Sequence, residues 1–115
     1  MLSNSIKPKV LFVCTKNQLR SLTAEQIFKN RPEYSVRSAG TASDARRRVN
    51  GADIDWADVI FVMEKKHEEI IKYKFPTQTL NKQMICLNIP DQYKYMDEEL
   101  VRIIEESVNS HFAEK

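Results

Sequence analysis

Long apolar runs are missing from this 115-residue chain, and none approaches the roughly 20 residues that a membrane-spanning helix needs. The N-terminus lacks the apolar core of a secretion signal, so residence in the cytoplasm is the expectation. An excess of one charge is missing too. Charged residues make up 30% of the chain but leave a net charge of only +2, which excludes a charged tail, a supercharged surface and charge-driven disorder. Cysteine occurs only at Cys14 and Cys86, in neither a CxxC nor a CxxH pair. That scarcity argues against a disulfide framework and against a metal, and no cofactor is expected. The two histidines, His67 and His111, lie in stretches rich in Lys and Glu and read as solvated surface residues. A chain of this length has room for one core, so residues 1–115 are expected to form one domain.

What is present is an alternation of strand and helix patterns. Val10 to Val13 is a short buried-strand run, followed by Ala24, Ile27 and Phe28 at helical spacing. Pro32 marks the end of that helix. Tyr34 to Ala39 reads as a second strand closed by Gly40, and Thr41 to Asp55 as a loop with about one helical turn, shorter than a full crossover helix. Val59 to Met63 is the most strand-like run in the chain and is expected at the centre of a sheet. Lys65 to Lys74 reads as a helix with Ile70, Ile71 and Tyr73 on its apolar edge, and Met84 to Leu87 as a fourth strand. Asp97 is a good N-cap for a last helix, whose apolar stripe is Leu100, Ile103, Ile104, Val108 and Phe112. Nearly continuous apolar strands separated by helices predict an α/β fold of three layers, a parallel sheet covered on both faces. In such sheets a ligand sits at the rim formed by the carboxyl ends of the strands.

Cys14 and Arg20 stand at that rim, separated by Thr15, Lys16, Asn17, Gln18 and Leu19. A loop of that length between a strand end and a helix start can turn successive N–H groups toward an anion, with the helix N-terminus adding positive potential. The same field favours the thiolate of Cys14, so a nucleophile and its phosphate would share one cradle. Ser21, next in sequence, suits a helix N-cap.

The chain resembles the low-molecular-weight protein tyrosine phosphatases. The resemblance rests on Val10 to Cys14 leading into Asn17, Arg20, Ser21 and Ala24-Glu25, then Ser38 to Thr41, Ala57-Asp58 before Val59 to Met63, and Asp91 with Tyr93. It implies a four-stranded parallel sheet of order 2-1-3-4 and two-step hydrolysis of phosphate monoesters, phosphotyrosine or aryl phosphates, through a phosphocysteine. In that scheme Cys14 is the nucleophile, Arg20 grips phosphate oxygens with two N–H groups, and the backbone of Thr15, Lys16, Asn17, Gln18, Leu19 and Arg20 binds the phosphate. Asp91 is the acid and base, Ser21 hydrogen-bonds the sulfur, and Asn17 and Ser38 brace the loop; Tyr93 and Tyr95 either wall the leaving group or cover the core.

The chain departs from the family pattern at several positions. Lys16 stands where the family has glycine, Leu19 where it has a second cysteine, and Leu22 and Gln92 where it has proline. The region between Thr41 and Trp56 is short. Two other functions compete. Arsenate reductases share the fold and the anion loop, but a thiol relay would have to run through Cys86 alone. A non-catalytic phosphate-binding or nucleic-acid module would use Arg46-Arg47-Arg48 with Arg37 and Lys16, yet balancing acids leave no basic domain. The expected partner is therefore a phosphorylated substrate, without metal, membrane or nucleic acid.

Overall fold

The apolar runs and the helical stretches between them build β1 (Lys9–Cys14), α1 (Arg20–Phe28), β2 (Ser35–Gly40), α2 (Gly51–Trp56), β3 (Val59–Val62), α3 (Lys65–Lys74), β4 (Gln83–Cys86) and α4 (Glu98–Ala113). The computed structural model describes residues 7–113. The first residues read for a secretion signal and both ends of the expected 1–115 domain lie outside them.

All four strands are parallel and lie in the order β2-β1-β3-β4, the order the resemblance implied. Every residue from Val10 to Cys14 and from Val59 to Val62 is buried. Covered on both faces, these two central strands have no reason to alternate apolar with polar residues. The pleat still sorts their side chains. Val10, Phe12, Cys14, Val59 and Phe61 pack with Ala24 and Phe28 of α1 and Leu100, Ile104 and Val108 of α4. Leu11, Val13, Ile60 and Val62 pack with Ile54 of α2 and Ile71 of α3. Phe12 stacks between Phe28 and Phe61, with ring centroids 5.9 and 5.5 Å away. Each such ring, buried in full, contributes about 1.5–3 kcal/mol of apolar transfer.

The last helix starts where its cap predicts, since Asp97 Oδ1 accepts from the N–H groups of Glu99 at 2.8 Å and Leu100 at 3.3 Å. One expectation is sharpened and two need correction. The 41–55 region ends in a six-residue helix, α2, held by a reciprocal cap between Asn50 and Asp53. Its lack of a clear period concealed a helix too short to show one. The apolar edge of α3 is narrower than its sequence implied. His67 and Ile71, one turn apart, are its buried residues, whereas Tyr73 points outward and is 85% exposed. Ser21 is not a cap either: α1 begins at Arg20, and Ser21 lies inside its first turn with its hydroxyl turned to Cys14.

Candidate active site

Four segments converge at the carboxyl rim of the sheet: residues 14–20 after β1, 40–46 after β2, 64–67 at the start of α3, and 89–91 beyond β4. The first takes its shape from the second. The carbonyls of Cys14, Thr15 and Lys16 accept from the N–H groups of Thr41 at 3.0 Å, Ala42 at 3.0 Å and Arg46 at 2.9 Å. Gly40 allows this close approach, because a Cβ there would sit 2.5 Å from the Thr15 carbonyl oxygen. With the carbonyls taken outward, none of the N–H groups from Thr15 to Arg20 has a protein acceptor among the described residues. The reversal in the loop falls at Asn17, the loop's left-handed residue, with φ of 58°. Asparagine tolerates that conformation, and Lys16, in the place of the family's glycine, does not need it.

Asn17 is wholly buried. Its amide donates to Ser21 Oγ at 2.7 Å and Ser38 Oγ at 2.9 Å, while its Oδ1 accepts from Arg46 at 2.8 Å. Ser21 Oγ in turn lies 2.9 Å from Cys14 Sγ and 3.3 Å from the Ala39 carbonyl. The hydroxyl has one proton for two acceptors. It can turn to a thiolate at Sγ and return to Ala39 when the sulfur loses its charge.

Arg20 is among the most buried side chains of the molecule, 2% exposed. Burying a guanidinium is costly unless its donors are satisfied. Nη1 donates to Glu64 Oε1 and to the Ile89 carbonyl, both at 2.8 Å. The Nε and Nη2 edge remains for a ligand, and a planar edge of two N–H groups matches two oxygens of a phosphate. The hydrogen bond from Arg20 holds the Glu64 carboxyl below the usual carboxylate range despite its partial burial, so the clamp persists under mild acid.

Asp91 follows the Ile89-Pro90 step, where the Ile89 N–H donates to the Met63 carbonyl at 2.8 Å. Its Oδ1 lies 3.9 Å from Arg20 Nε, and its side chain is 60% exposed. Cys14, Thr15, Lys16, Gln18, Leu19, Arg20 and Asp91 enclose a cleft of about 60 Å3, small enough for one tetrahedral anion. Of the two roles open to the tyrosines, the aromatic wall is absent from this lining. Tyr93 packs against the core and Tyr95 is exposed, because the chain after Asp91 turns down onto α1, where the Met96 N–H donates to Thr23 Oγ1 at 3.0 Å.

The family model for low molecular weight phosphotyrosine protein phosphatases matches residues 9–51. Among solved structures, Wzb from Vibrio vulnificus in complex with benzylphosphonate is 24% identical, with a TM-score of 0.75 over 96% of this chain and 100% of its own. The fold is that of the low-molecular-weight phosphatases. The YwlE arginine phosphatase from Geobacillus stearothermophilus is 23% identical, with a TM-score of 0.73 over 93% of this chain and 94% of its own. The tyrosine phosphatase Wzb from Escherichia coli K30 in complex with phosphate is 22% identical, with a TM-score of 0.72 over 95% and 98%. No curated protein matches the chain.

Within this low-molecular-weight phosphatase fold, sequence reasoning missed Glu64 and misplaced His67, Arg46, Arg47 and His111. His67 is not a solvated surface residue but wholly buried beneath the loop. Burial, with the Arg20 charge nearby, lowers its pKa from 6.5 to about 4. Glu64 anchors Arg20, and only the sequence Met63-Glu64 at a strand end hinted that an acid stood at the rim. Arg46 and Arg47, expected in a basic patch, are spent internally. Arg46 donates to the Asn17 carbonyl and side chain, and Arg47 to the Ser38 carbonyl and to buried Asp53. His111 lies against Phe61 and Phe112 at the far end of the core instead of in solvent.

Proposed function

We propose that this protein hydrolyses phosphate monoesters, phosphotyrosine or small aryl phosphates, through a phosphocysteine on Cys14. One observation supports the reading: the loop from Thr15 to Arg20, whose N–H groups have no protein acceptor among the described residues, lines one small cleft with Cys14, Asp91 and a buried arginine whose Nε–Nη2 edge donates no hydrogen bond there. In the first step the thiolate attacks phosphorus and the ester oxygen leaves. The loop N–H groups and Arg20 stabilise the charge that develops on the equatorial oxygens. Asp91, at the open side of the cleft, supplies the proton to the leaving oxygen. In the second step Asp91 takes a proton from water as the water attacks phosphorus, and the S–P bond breaks to return the thiolate, which the Ser21 hydroxyl then receives.

A thiol relay to arsenate is the weaker reading. Cys86 ends the edge strand, with Sγ donating to Asn88 Oδ1 at 3.3 Å, and does not line the cleft. A nucleic-acid surface loses its main support because Arg46 and Arg47 are engaged within the fold. Among the described residues no helix is long and apolar enough to cross a membrane, and no group of three or more His, Cys, Asp or Glu side chains is placed to hold a metal. The test is hydrolysis of p-nitrophenyl phosphate by wild type beside Cys14→Ser. Wild type is expected to turn over, and the variant to lose turnover while still binding vanadate. Substantial turnover by the purified variant would remove Cys14 from the mechanism.

A further inference from the structure

His67 is tied at both ring nitrogens. Its Nδ1 lies 3.0 Å from the Glu64 N–H and its Nε2 lies 2.8 Å from Thr15 Oγ1. A backbone N–H can only donate, so Nδ1 must be an acceptor, and the proton of the neutral ring resides on Nε2. Nε2 therefore donates to the Thr15 hydroxyl and occupies one of its lone pairs. The hydroxyl's own proton has no acceptor among the described residues, and Thr15 is part of the cleft wall beside Cys14 and Arg20.

We propose that His67 is a positioning residue which, by donating to Thr15 Oγ1, turns the Thr15 hydroxyl proton into the cleft as a side-chain donor to a bound phosphoryl oxygen. The inference rests on the phosphatase reading and adds a donor to the backbone cradle. It also explains why an imidazole lies buried beneath a phosphate loop. A ring that stays neutral keeps one donor and one acceptor in fixed places, whereas an imidazolium would set two donors, one of them against the Glu64 N–H. The low pKa of His67 maintains that state through mildly acidic conditions. The same turn serves both ends of the loop, since the Glu64 carboxylate holds Arg20 while its N–H orients the ring that holds Thr15.

Two amide substitutions separate positioning from a purely structural role. In His67→Gln the side-chain NH2 reaches the place of Nε2 and can still donate to Thr15. In His67→Asn the side-chain oxygen replaces Nδ1 and keeps the turn, but nothing reaches Thr15. The readout is inorganic phosphate as a competitive inhibitor of p-nitrophenyl phosphate hydrolysis, with kcat and KM determined separately. His67→Asn and Thr15→Val should each weaken phosphate binding about 10-fold, the scale of one hydrogen bond to a charged group, while His67→Gln and Thr15→Ser stay within about threefold of wild type. The reverse order, Gln worse than Asn, would show that the ring only holds the turn and would overturn the proposal. If thermal melts show that the His67 variants do not fold, Thr15→Val against Thr15→Ser decides, and equal phosphate affinity in that pair overturns it. A wild-type protein that neither bound phosphate nor hydrolysed the ester would remove the phosphatase reading and this one together. A wild type that does both, beside an unaffected Thr15→Val, would remove this one alone.

Discussion

Acidification is expected to unfold this protein partly through His67. In the unfolded chain its imidazole takes up a proton as pH falls below the ordinary value of 6.5, whereas in the fold burial and Arg20 delay protonation to about 4. Over that interval the unfolded state binds more protons than the folded state, so stability rises with pH and is lost as pH drops. The displacement corresponds to about 3 kcal/mol at about 1.4 kcal/mol per pH unit. That is a large part of the 5–15 kcal/mol typical of a domain. Urea unfolding of wild type and His67→Gln at several pH values between 7 and 4 measures it. The wild-type curve should fall more steeply, and the gap between the two should change by about 3 kcal/mol across the interval. Glu64, held below its usual range by Arg20, stabilises the fold above the ordinary carboxylate range. That contribution is lost only as pH falls through the lowered Glu64 value, below most of the interval in which His67 titrates. Parallel curves for the two proteins would show that His67 is not buried in the neutral form, and the hydrogen-bond assignment at Thr15 would fall with it.

Arg20→Lys should retain the charge but lose the planar edge, lowering kcat/KM by about 10²–10³-fold, the range found when one oxyanion donor is removed; near-normal kinetics would exclude a two-point grip on phosphate. Asp91→Asn should slow phosphotyrosine hydrolysis by about 10²–10⁴-fold but affect an ester with a good leaving group much less. Equal effects on both substrates would assign the acid elsewhere. Gly40→Ala should destabilise the fold by about 1–3 kcal/mol and weaken phosphate binding, because the added methyl would lie 2.5 Å from the Thr15 carbonyl oxygen and 2.7 Å from the Ala45 side chain. An unchanged melting temperature would contradict the packing described for loop 40–46.

Local chemistry makes much of this molecule readable from its residues alone. Buried parallel strands need apolar residues on both faces, so Val10 to Val13 and Val59 to Val62 announced themselves, and the strand-to-helix transition placed Cys14 and Arg20 around a loop. Asp97 announced its helix because a cap acts within one turn. Short-range signals end there. The six residues of α2 are too few for a period, and its cap at Asn50 depends on a reciprocal contact with Asp53. Tyr73 and Ile71 are near neighbours in sequence with opposite fates, because the sheet under α3 reaches only one of them.

By itself, then, the sequence determined the alternation of strands and helices and the spacing of nucleophile and arginine, both of which are written in adjacent residues. Tertiary structure alone decided which partners those residues meet. Arg20 finds Glu64 and Ile89, 44 and 69 positions away, and Thr15 finds His67, 52 positions away. It likewise turned Arg46 inward to Asn17 and packed Tyr93 against the core. The reason is physical: a polar side chain has no preferred partner until packing removes water from around it, and then the nearest complementary group becomes obligatory.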